Sequence, residues 1–354
     1  MGDIFEQLRD KLDELATGYP ATRSGVELRL LKQLFAPEEA ALFLALSPIP
    51  EKPEQVAKRL GRDSDEIKEK LEGMARKGLV FRLRRGSFLA YAMVPFVIGL
   101  MEFQVGRVTP AFARDLTTYF INGLGKSFQQ YRTPVMRTIP IHKEMAAAWP
   151  IAPYDDLEQI FGSQQTIAVA ECICRCLGEH TGNSCHKPLE ACFLFGAHAH
   201  FYVENGRARY ISAQEAMTIA MTNLEKTGLV VQPTNGKKTA GLCMCCGCHC
   251  GMLLSLKLQP KPAAAAGSNY FGHVESDNCS GCEVCQERCQ MAAIKIKSGQ
   301  AEINPDRCIG CGACIPTCPN GALQLIKKPE DQCYEPPHDM VQAYIEIGRE
   351  RGKL

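Results

Sequence analysis

The first 171 residues contain no cysteine, although the chain of 354 residues contains 19. All 19 lie between Cys172 and Cys333, so the composition divides the chain and argues against one uniform fold. An excess of charge is also missing, since 40 basic and 39 acidic residues leave a net charge of +1. This balance gives no whole-chain attraction to nucleic acid or to an acidic membrane surface.

A hydrophobic run long enough for a bilayer is missing as well. Residues 86–101 carry no charge, but a transmembrane helix needs about 20 apolar residues, and Pro95 and Gly99 interrupt the run. We therefore expect a buried strand followed by a core helix and no transmembrane segment, with a membrane-surface contact as the alternative. The start, MGDIFEQLRDKLDEL, lacks the apolar region of a secretory leader. We expect a cytoplasmic, reducing location, in which thiols bind metals rather than form disulfides.

Nucleotide and hydrolase motifs are not found either. There is no G-x-G-x-x-G after a predicted strand, no P-loop lysine motif and no nucleophile elbow, so we predict no flavin, nucleotide or serine-hydrolase site. The single tryptophan, Trp149, is expected to pack at a domain junction.

Residues 1–100 contain a pattern of helices followed by a hairpin. Helical periodicity covers 28–35, 37–46, 53–60 and 64–77, with Asp63 as a capping residue and Gly78 as the stop. LVFRLRRGSFLAYAM then alternates around Arg85-Gly86, which predicts a β-hairpin. This order resembles the winged-helix domain of bacterial regulators, with QVAKRLGRDSDEIKEKLEGMARKGLVFRL as its helix-turn-helix and wing.

The face that such a domain would turn to DNA is acidic. The predicted buried side of the helix consists of Ile67, Leu71 and Met74, and the outward side consists of Asp65, Glu69, Glu72 and Arg76. Three acids would repel phosphates, although the predicted wing carries the basic residues Arg82, Arg84 and Arg85. We therefore expect protein contact or homodimerisation through residues 1–100, with DNA binding as the alternative.

The rest of the chain divides by composition. Residues 101–165 are predicted as a helical connector, 166–257 as a cysteine-rich α/β domain, 258–270 as a Pro/Ala/Gly/Ser linker, 271–328 as a compact repeat and 329–354 as a tail with a helix near its end. The expected fold class is therefore multidomain α+β.

Four elements are predicted in the cysteine-rich domain. TIAVAECICRC and GAHAHFYVE predict strands, the second with His198 and His200 on a polar face or, alternatively, as a metal or substrate pair. A helix is predicted from the capping box at Ser212 to Gly228, followed by a strand, LVVQPTN.

The strongest signal is a duplication with a period of 29 residues. NCSGCEVCQERCQMAAIKI aligns with RCIGCGACIPTCPNGALQL, and each half contains C-x2-C-x2-C-x3-C. The cysteines of the two halves are Cys279, Cys282, Cys285 and Cys289, then Cys308, Cys311, Cys314 and Cys318. This spacing is typical of thiolates that ligate iron–sulfur clusters.

Over about 57 residues the repeat resembles the bacterial two-cluster ferredoxins. The resemblance implies two [4Fe–4S] clusters with crossed fourth ligands. One cluster takes Cys279, Cys282, Cys285 and Cys318, and the other takes Cys308, Cys311, Cys314 and Cys289. The sequence departs from the family at Gln290, where a proline is expected after Cys289. The combination of CICR, C-x6-C and CxCCxC also resembles ferredoxin-like iron–sulfur proteins of anaerobes.

Ten further cysteines lie in residues 166–257. Eight of them are the candidate metal ligands: Cys172, Cys174, Cys185, Cys192, Cys243, Cys245, Cys246 and Cys248. The first four form one expected set and the last four a second or shared set, for one or two further [4Fe–4S] clusters. Zinc is the alternative, since His180, His186 and His249 are available as ligands, and reactive or redox-sensing thiols are another.

These patterns favour an electron-transfer protein, a subunit or dedicated partner of an anaerobic oxidoreductase, in which clusters relay single electrons. The repeat contains six acidic and six basic residues between positions 271 and 328, and a neutral module suits a fixed partner better than steering to many. The alternative is a redox-sensing transcription regulator, and an enzyme with the middle cluster as its active centre also stays open.

Overall fold

A computed structural model describes residues 2–140 and 151–354; Trp149 and its expected junction lie outside these residues. The N-terminal elements are α1 (Ile4–Glu14), α2 (Val26–Leu34), α3 (Pro37–Leu44), α4 (Pro53–Leu60), α5 (Ser64–Lys77), β1 (Phe81–Arg85) and β2 (Phe88–Ala92). The four predicted helices and the antiparallel hairpin are present. The Asp63 side chain accepts a hydrogen bond from the Glu66 N–H at 2.9 Å, and Gly78 ends α5 in the left-handed conformation.

The chain after β2 does not form the predicted core helix. Residues 96–100 make a π-helical turn in which Val97, Ile98 and Gly99 have non-helical backbone angles, with φ of 54° at Ile98. The N–H of Gly99 therefore bonds to the Glu102 carboxylate at 2.9 Å instead of to a helical carbonyl. No helix in the described ranges combines the length and apolar character that a bilayer crossing requires.

Helices follow in the connector. They are α6 (Pro110–Tyr119), which continues through a π-helical turn at Phe120–Leu124 into α7 (Gly125–Ser127), and α8 (Leu157–Gly162). Phe112, Leu116 and Tyr119 of α6 are buried in the core that α1 to α5 form, so this helix extends the N-terminal helical layer.

The cysteine-rich region contains a five-stranded sheet with helices between its strands. Its elements are β3 (Ile167–Glu171), α9 (Ile173–His180), β4 (Glu190–Phe195), α10 (Gly196–Glu204), β5 (Ala208–Ile211), α11 (Ala213–Thr227), β6 (Val230–Pro233), β7 (Gly241–Cys245) and α12 (Gly251–Lys257). The strand order is β5-β3-β4-β7-β6, and every pairing is antiparallel. The region is thus not α/β in the strict sense of a parallel sheet. Ser212 caps α11 and Gly228 ends it, as predicted.

One predicted strand in this region is shorter than predicted and another is wrong. In TIAVAECICRC the strand ends at Glu171, where the register with β4 shifts, and the Cys172 carbonyl accepts the first hydrogen bonds of α9. Cys174 and Cys176 therefore lie on a helix. GAHAHFYVE forms α10, because Gly196 turns the chain with φ of 52° and the helix buries Phe201 and Tyr202.

The two histidines of α10 do not form a pair. His198 stacks on Phe81 with ring centroids 4.9 Å apart, whereas the His200 Nδ1 lies 2.8 Å from the Tyr210 hydroxyl. Positions two apart on a helix point to different sides, so neither the polar strand face nor the metal pair is present.

The C-terminal region contains two small antiparallel sheets. Its elements are α13 (Pro262–Ala265), β8 (Tyr270–Val274), α14 (Val284–Arg288), β9 (Ile294–Lys297), β10 (Gln300–Ile303), β11 (Leu323–Lys327) and α15 (Met340–Glu350). β8 pairs with β11 and β9 with β10. The segment predicted as a linker is packed near its end, since Ala266 and Ser268 are buried and the Ala266 carbonyl accepts from the Thr138 N–H at 3.0 Å.

The hairpin β1–β2 is fastened to the cysteine-rich region by buried charge. Arg82 is only 3% exposed and pairs with Glu72 of α5 and, at 2.5 Å, with Glu204 of α10. Arg84 adds a contact to Glu204 at 3.1 Å, and the Tyr91 hydroxyl donates to Glu72 at 2.8 Å. Glu72 therefore faces the hairpin, which corrects its predicted place on the outward side of α5.

Replacing Arg82 by alanine should lower the free energy of unfolding by about 3 kcal/mol, because Glu72 and Glu204 would lose the buried cation that pairs with both and would keep only the more exposed Arg84 between them. Denaturant unfolding of the anaerobically purified protein measures this change. Arg85→Ala is the matched control, since Arg85 is an exposed arginine on the same strand, and its effect should stay below about 0.5 kcal/mol. Equal effects of the two variants would contradict the role given to Arg82.

Candidate metal centres

The two halves of the cysteine repeat have the same local geometry. The Ala293 N–H bonds to the Cys289 Sγ and the Ala322 N–H to the Cys318 Sγ, both at 3.2 Å. These two pairs are 29 residues apart, as are the residues of the next two contacts. The Gly272 N–H bonds to the Cys308 Sγ and the Ala301 N–H to the Cys279 Sγ, both at 3.3 Å. The duplication thus extends to the amides that surround the sulfur atoms.

Glycine is required where each cysteine loop passes a neighbouring strand end. Gly281 has φ of 67° and a Cβ there would lie 2.3 Å from the Gly299 carbonyl oxygen. Gly310 has φ of 64° and a Cβ there would lie 2.1 Å from the Tyr270 carbonyl oxygen. A side chain at either position would push the loop away from the strand that supplies the N–H to sulfur.

The fourth cysteine of the first half lies close to the thiols of the second half. Burial, with the neighbouring Cys289 and Cys308 thiols, raises the pKa of Cys311 to about 12. Burial also raises the pKa of Cys308, again with Cys289 as a neighbour. Cys279, Cys285 and Cys318 share one apolar cluster, against which Cys289 and Cys314 also pack, while Cys282 is exposed. The structure thus places Cys289 beside the second triplet in space.

Six thiols of the cysteine-rich region line one cavity of about 50 Å³, here called the thiol cavity. They are Cys172, Cys174, Cys192, Cys243, Cys245 and Cys250. Cys192 and Cys243 are cross-strand neighbours on β4 and β7, with their sulfur atoms 4.0 Å apart. Cys172 and Cys174 reach the cavity from the start of α9, and Cys250 from the start of α12. The cavity thus lies where two helices begin against the middle of the sheet.

The six thiols of the thiol cavity form a connected set, in which the pKa of each is shifted by at least one neighbouring thiol. The pKa of Cys250 is lowered to about 5, because it accepts hydrogen bonds from Cys174 and Cys245 and from the Leu253 N–H. The remaining wall is mostly apolar, but it includes Glu171 and the partly buried Glu102; loss of solvation raises the pKa of Glu102 to about 8. Such a dry, sulfur-rich wall suits a thiolate-ligated metal group more than a polar substrate.

A second group of ligands lies beside the thiol cavity and is here called the loop site. It consists of Cys185, Cys246, Cys248 and His249, whose ligand atoms all lie within 4.8 Å of one another. Cys185 comes from the segment between α9 and β4, and the other three from the turn between β7 and α12. The grouping therefore differs from the expected one: Cys185 leaves Cys172, Cys174 and Cys192, while Cys243 and Cys245 join them.

The sequence did not indicate Cys250 as a member of either predicted ligand set, and it indicated His249 only as a possible zinc ligand. Cys250 lies one residue before α12, and the N–H of the next residue, Gly251, bonds to the Cys174 sulfur. Two cysteines belong neither to the repeat nor to the thiol cavity or the loop site. Cys176 contacts the Glu171 carboxylate at 3.8 Å, and Cys333 lies 3.5 Å from the Lys328 carbonyl.

The C-terminal region matches a known family. Residues 301–324 match the family described as 4Fe-4S binding domain, a stretch that includes Cys308, Cys311, Cys314 and Cys318. No curated protein and no solved structure matched the chain. The chain therefore carries a 4Fe-4S binding domain near its C-terminus, in keeping with the predicted iron–sulfur chemistry.

Proposed function

We propose that this chain is an iron–sulfur electron-transfer protein, working as a subunit or dedicated partner of an anaerobic oxidoreductase. The observation that carries the proposal is the duplicated set of N–H to sulfur hydrogen bonds around Cys279, Cys289, Cys308 and Cys318. The family match covers the second half of the duplication, and the first half has the same cysteine spacing.

The residues of the repeat fit two [4Fe–4S] clusters. Four thiolates are available for each, and backbone amides already point at sulfur atoms in both halves, which are the contacts that tune such clusters. When bound, each cluster supplies one-electron transfer between two redox states. We assign Cys279, Cys282, Cys285 and Cys318 to one cluster and Cys308, Cys311, Cys314 and Cys289 to the other, since Cys289 neighbours Cys308 and Cys311.

We assign a third [4Fe–4S] cluster to the thiol cavity. Its six sulfur atoms exceed the four that one cluster needs, and its apolar wall would keep water from the ligands. Cys245 and Cys250 are buried in the same apolar cluster against which Cys289, Cys308 and Cys311 pack. A continuous dry path therefore connects the thiol cavity to the second triplet of the repeat.

The contacts between the two regions would hold this path in place. The Gln290 side chain accepts from the Gly247 N–H at 2.8 Å. Within the cysteine-rich region, the Lys257 Nζ steadies the same turn by donating to the Gly247 carbonyl at 2.6 Å. On the other side, the Arg288 guanidinium donates to the Glu225 carbonyl at the end of α11 at 2.6 Å. Gln290, which departs from the proline of the family, thus serves an internal junction that a proline side chain could not form.

For residues 1–100 we propose a winged-helix-like domain that docks a protein partner or a second copy of the chain. Ile49 is 72% exposed and Phe88, in the hairpin, is 41% exposed. Close to them in sequence, Glu51 and Tyr91 form an isolated antiparallel β-bridge, and the Lys52 ammonium lies over the Phe88 ring. Exposed apolar side chains suit protein contact better than phosphate contact.

The chain should therefore show no sequence-selective DNA binding at physiological ionic strength. Arg82 and Arg84 are engaged with Glu72 and Glu204, and the outward side of α5 still carries exposed Asp65 and Glu69. Selection from a randomised duplex library, followed by a gel-shift assay with and without oxidant, tests this. A salt-sensitive, selective shift that Arg84→Ala and Arg85→Ala abolish would overturn the prediction and favour a regulator.

The proposed function itself is tested by iron and acid-labile sulfide content after anaerobic purification, together with EPR of the reduced protein. Three clusters predict about twelve irons and twelve sulfides per chain. Signals of reduced [4Fe–4S] clusters that a redox partner can reoxidise would support electron transfer. A chain without labile sulfide would refute it.

A further inference from the structure

The loop site is too compact for an iron–sulfur cube. A tetrahedral zinc ion with Zn–S bonds of about 2.3 Å brings its ligand atoms to about 3.8 Å from one another. A cube needs its ligands farther apart, because each thiolate binds a different iron at a different corner. Within the ranges that the structure describes, Cys185, Cys246, Cys248 and His249 form the only group of three or more such ligand atoms inside 4.8 Å. No three cysteines of the repeat or of the thiol cavity, all of them within the described ranges, come that close to one another; in the cavity, the 4.0 Å separation of the Cys192 and Cys243 sulfur atoms is an approach of two ligand atoms, not of four.

The imidazole of His249 is oriented as a metal ligand. Its Nε2 is hydrogen-bonded to the Asn183 carbonyl oxygen, and because a carbonyl only accepts, Nε2 carries the proton. The Nδ1 lone pair is then directed to the thiols, with Cys248 Sγ at 3.2 Å. A histidine that donates its second N–H to a backbone carbonyl is the usual arrangement around a protein-bound metal.

The surroundings of the loop site also match the charge of a zinc complex with these four ligands. Three thiolates and one neutral imidazole around Zn²⁺ carry a net charge of −1. Arg175 is 2% exposed and its Nη1 donates to the Met244 carbonyl at 3.1 Å, but its Nε and Nη2 have no hydrogen-bond partner. A buried, incompletely paired cation is costly unless an anion lies nearby, and Arg175 adjoins both Cys172 of the thiol cavity and Cys246 of the loop site.

We propose that Cys185, Cys246, Cys248 and the Nδ1 of His249 bind one Zn²⁺ ion in a closed, four-ligand site. The ion takes no part in electron transfer, because zinc has no accessible second redox state. Its role is to fix the turn between β7 and α12, which presents Gly247 to Gln290 on one side and carries Cys245 and Cys250 of the thiol cavity on either flank. Zinc thereby sets the position of the cavity relative to the repeat.

The test uses the full chain purified without oxygen, with zinc and iron measured together. We expect about one zinc per chain in the wild type and at least a tenfold loss of zinc affinity in His249→Ala, while the iron and sulfide of the repeat stay unchanged. His186→Ala is the matched control, because His186 is an exposed histidine next to Cys185 and should keep the zinc. His249→Cys should restore zinc binding through a fourth thiolate.

Cobalt(II) exchanged into the zinc-depleted protein gives a second readout. The wild type and His186→Ala should show the intense visible bands of tetrahedral cobalt with thiolate charge transfer, and His249→Ala should not. Absence of zinc from the wild type, or unchanged zinc in His249→Ala, would overturn the proposal. Loss of about four irons with the zinc unchanged in His249→Ala would show that the loop site holds a cluster. None of these outcomes depends on the iron of the repeat, so electron transfer stands or fails separately.

Discussion

Replacing Cys289 by alanine should remove the cluster of Cys308, Cys311 and Cys314 and spare the cluster of the triplet that precedes Cys289 in sequence. The structural reason is the position of Cys289 beside Cys308 and Cys311, where the thiols influence one another's pKa. Iron should fall by about four per chain. EPR of the reduced protein should retain the signal of one cluster of the repeat.

Two reference variants identify which cluster is lost. With crossed ligation, Cys289→Ala and Cys311→Ala leave the same EPR spectrum, whereas Cys282→Ala leaves a different one. With local ligation, Cys289→Ala would match Cys282→Ala instead. Cys333→Ala serves as the control for removing a cysteine as such, since Cys333 lies against the Lys328 carbonyl. Unchanged iron and an unchanged spectrum in Cys289→Ala would exclude the assignment.

The second large effect is expected at Cys250, in the thiol cavity. Cys250 interacts with Cys174 of α9 and with Cys245 of β7, so it connects the two ends of the cysteine-rich region. Cys250→Ala should therefore remove about four irons and four sulfides, while the EPR signals of the repeat remain.

Cys176→Ala is the matched control for Cys250. Cys176 is 7% exposed and Cys250 is 4% exposed, and both lie at helix starts, but Cys176 faces the Glu171 carboxylate rather than the cavity. It should keep the full iron content. If Cys250→Ala retained all its iron and sulfide and lost only stability, the thiol cavity would be a structural element and electron transfer would be confined to the repeat.

Local patterns predicted local structure well. The helix from Ser64 to Lys77 was defined by Asp63 and Gly78, and the helix from Ala213 to Thr227 by Ser212 and Gly228, because caps act within one turn. The cysteine repeat could be recognised for the same reason, since most of each ligand set lies within seven residues along the chain.

The partners of the middle cysteines could not be predicted, because they are set by distant backbone contacts. CxCxC fits a strand with three thiols on one face, and a helix start equally well. The choice between strand and helix start depends on a distant contact: the Cys172 N–H bonds to the Leu189 carbonyl at 2.8 Å, just past the register shift in β3. Likewise Cys185 meets Cys246 only because the sheet brings β4 beside β7, a pairing that no local spacing encodes.

The contact between α15 and the segment after α1 has a consequence for the order of events during synthesis. Arg351 is 4% exposed at its side chain, pairs with Asp13 at 2.9 Å and donates to the carbonyls of Leu15 and Ala16. It leaves the ribosome 338 residues after Asp13. Every cysteine of the chain lies between these two positions, so all the thiols emerge before this contact can close. Cofactor insertion can therefore precede final closure on the nascent chain, and α15 would then act as a latch over an already loaded protein.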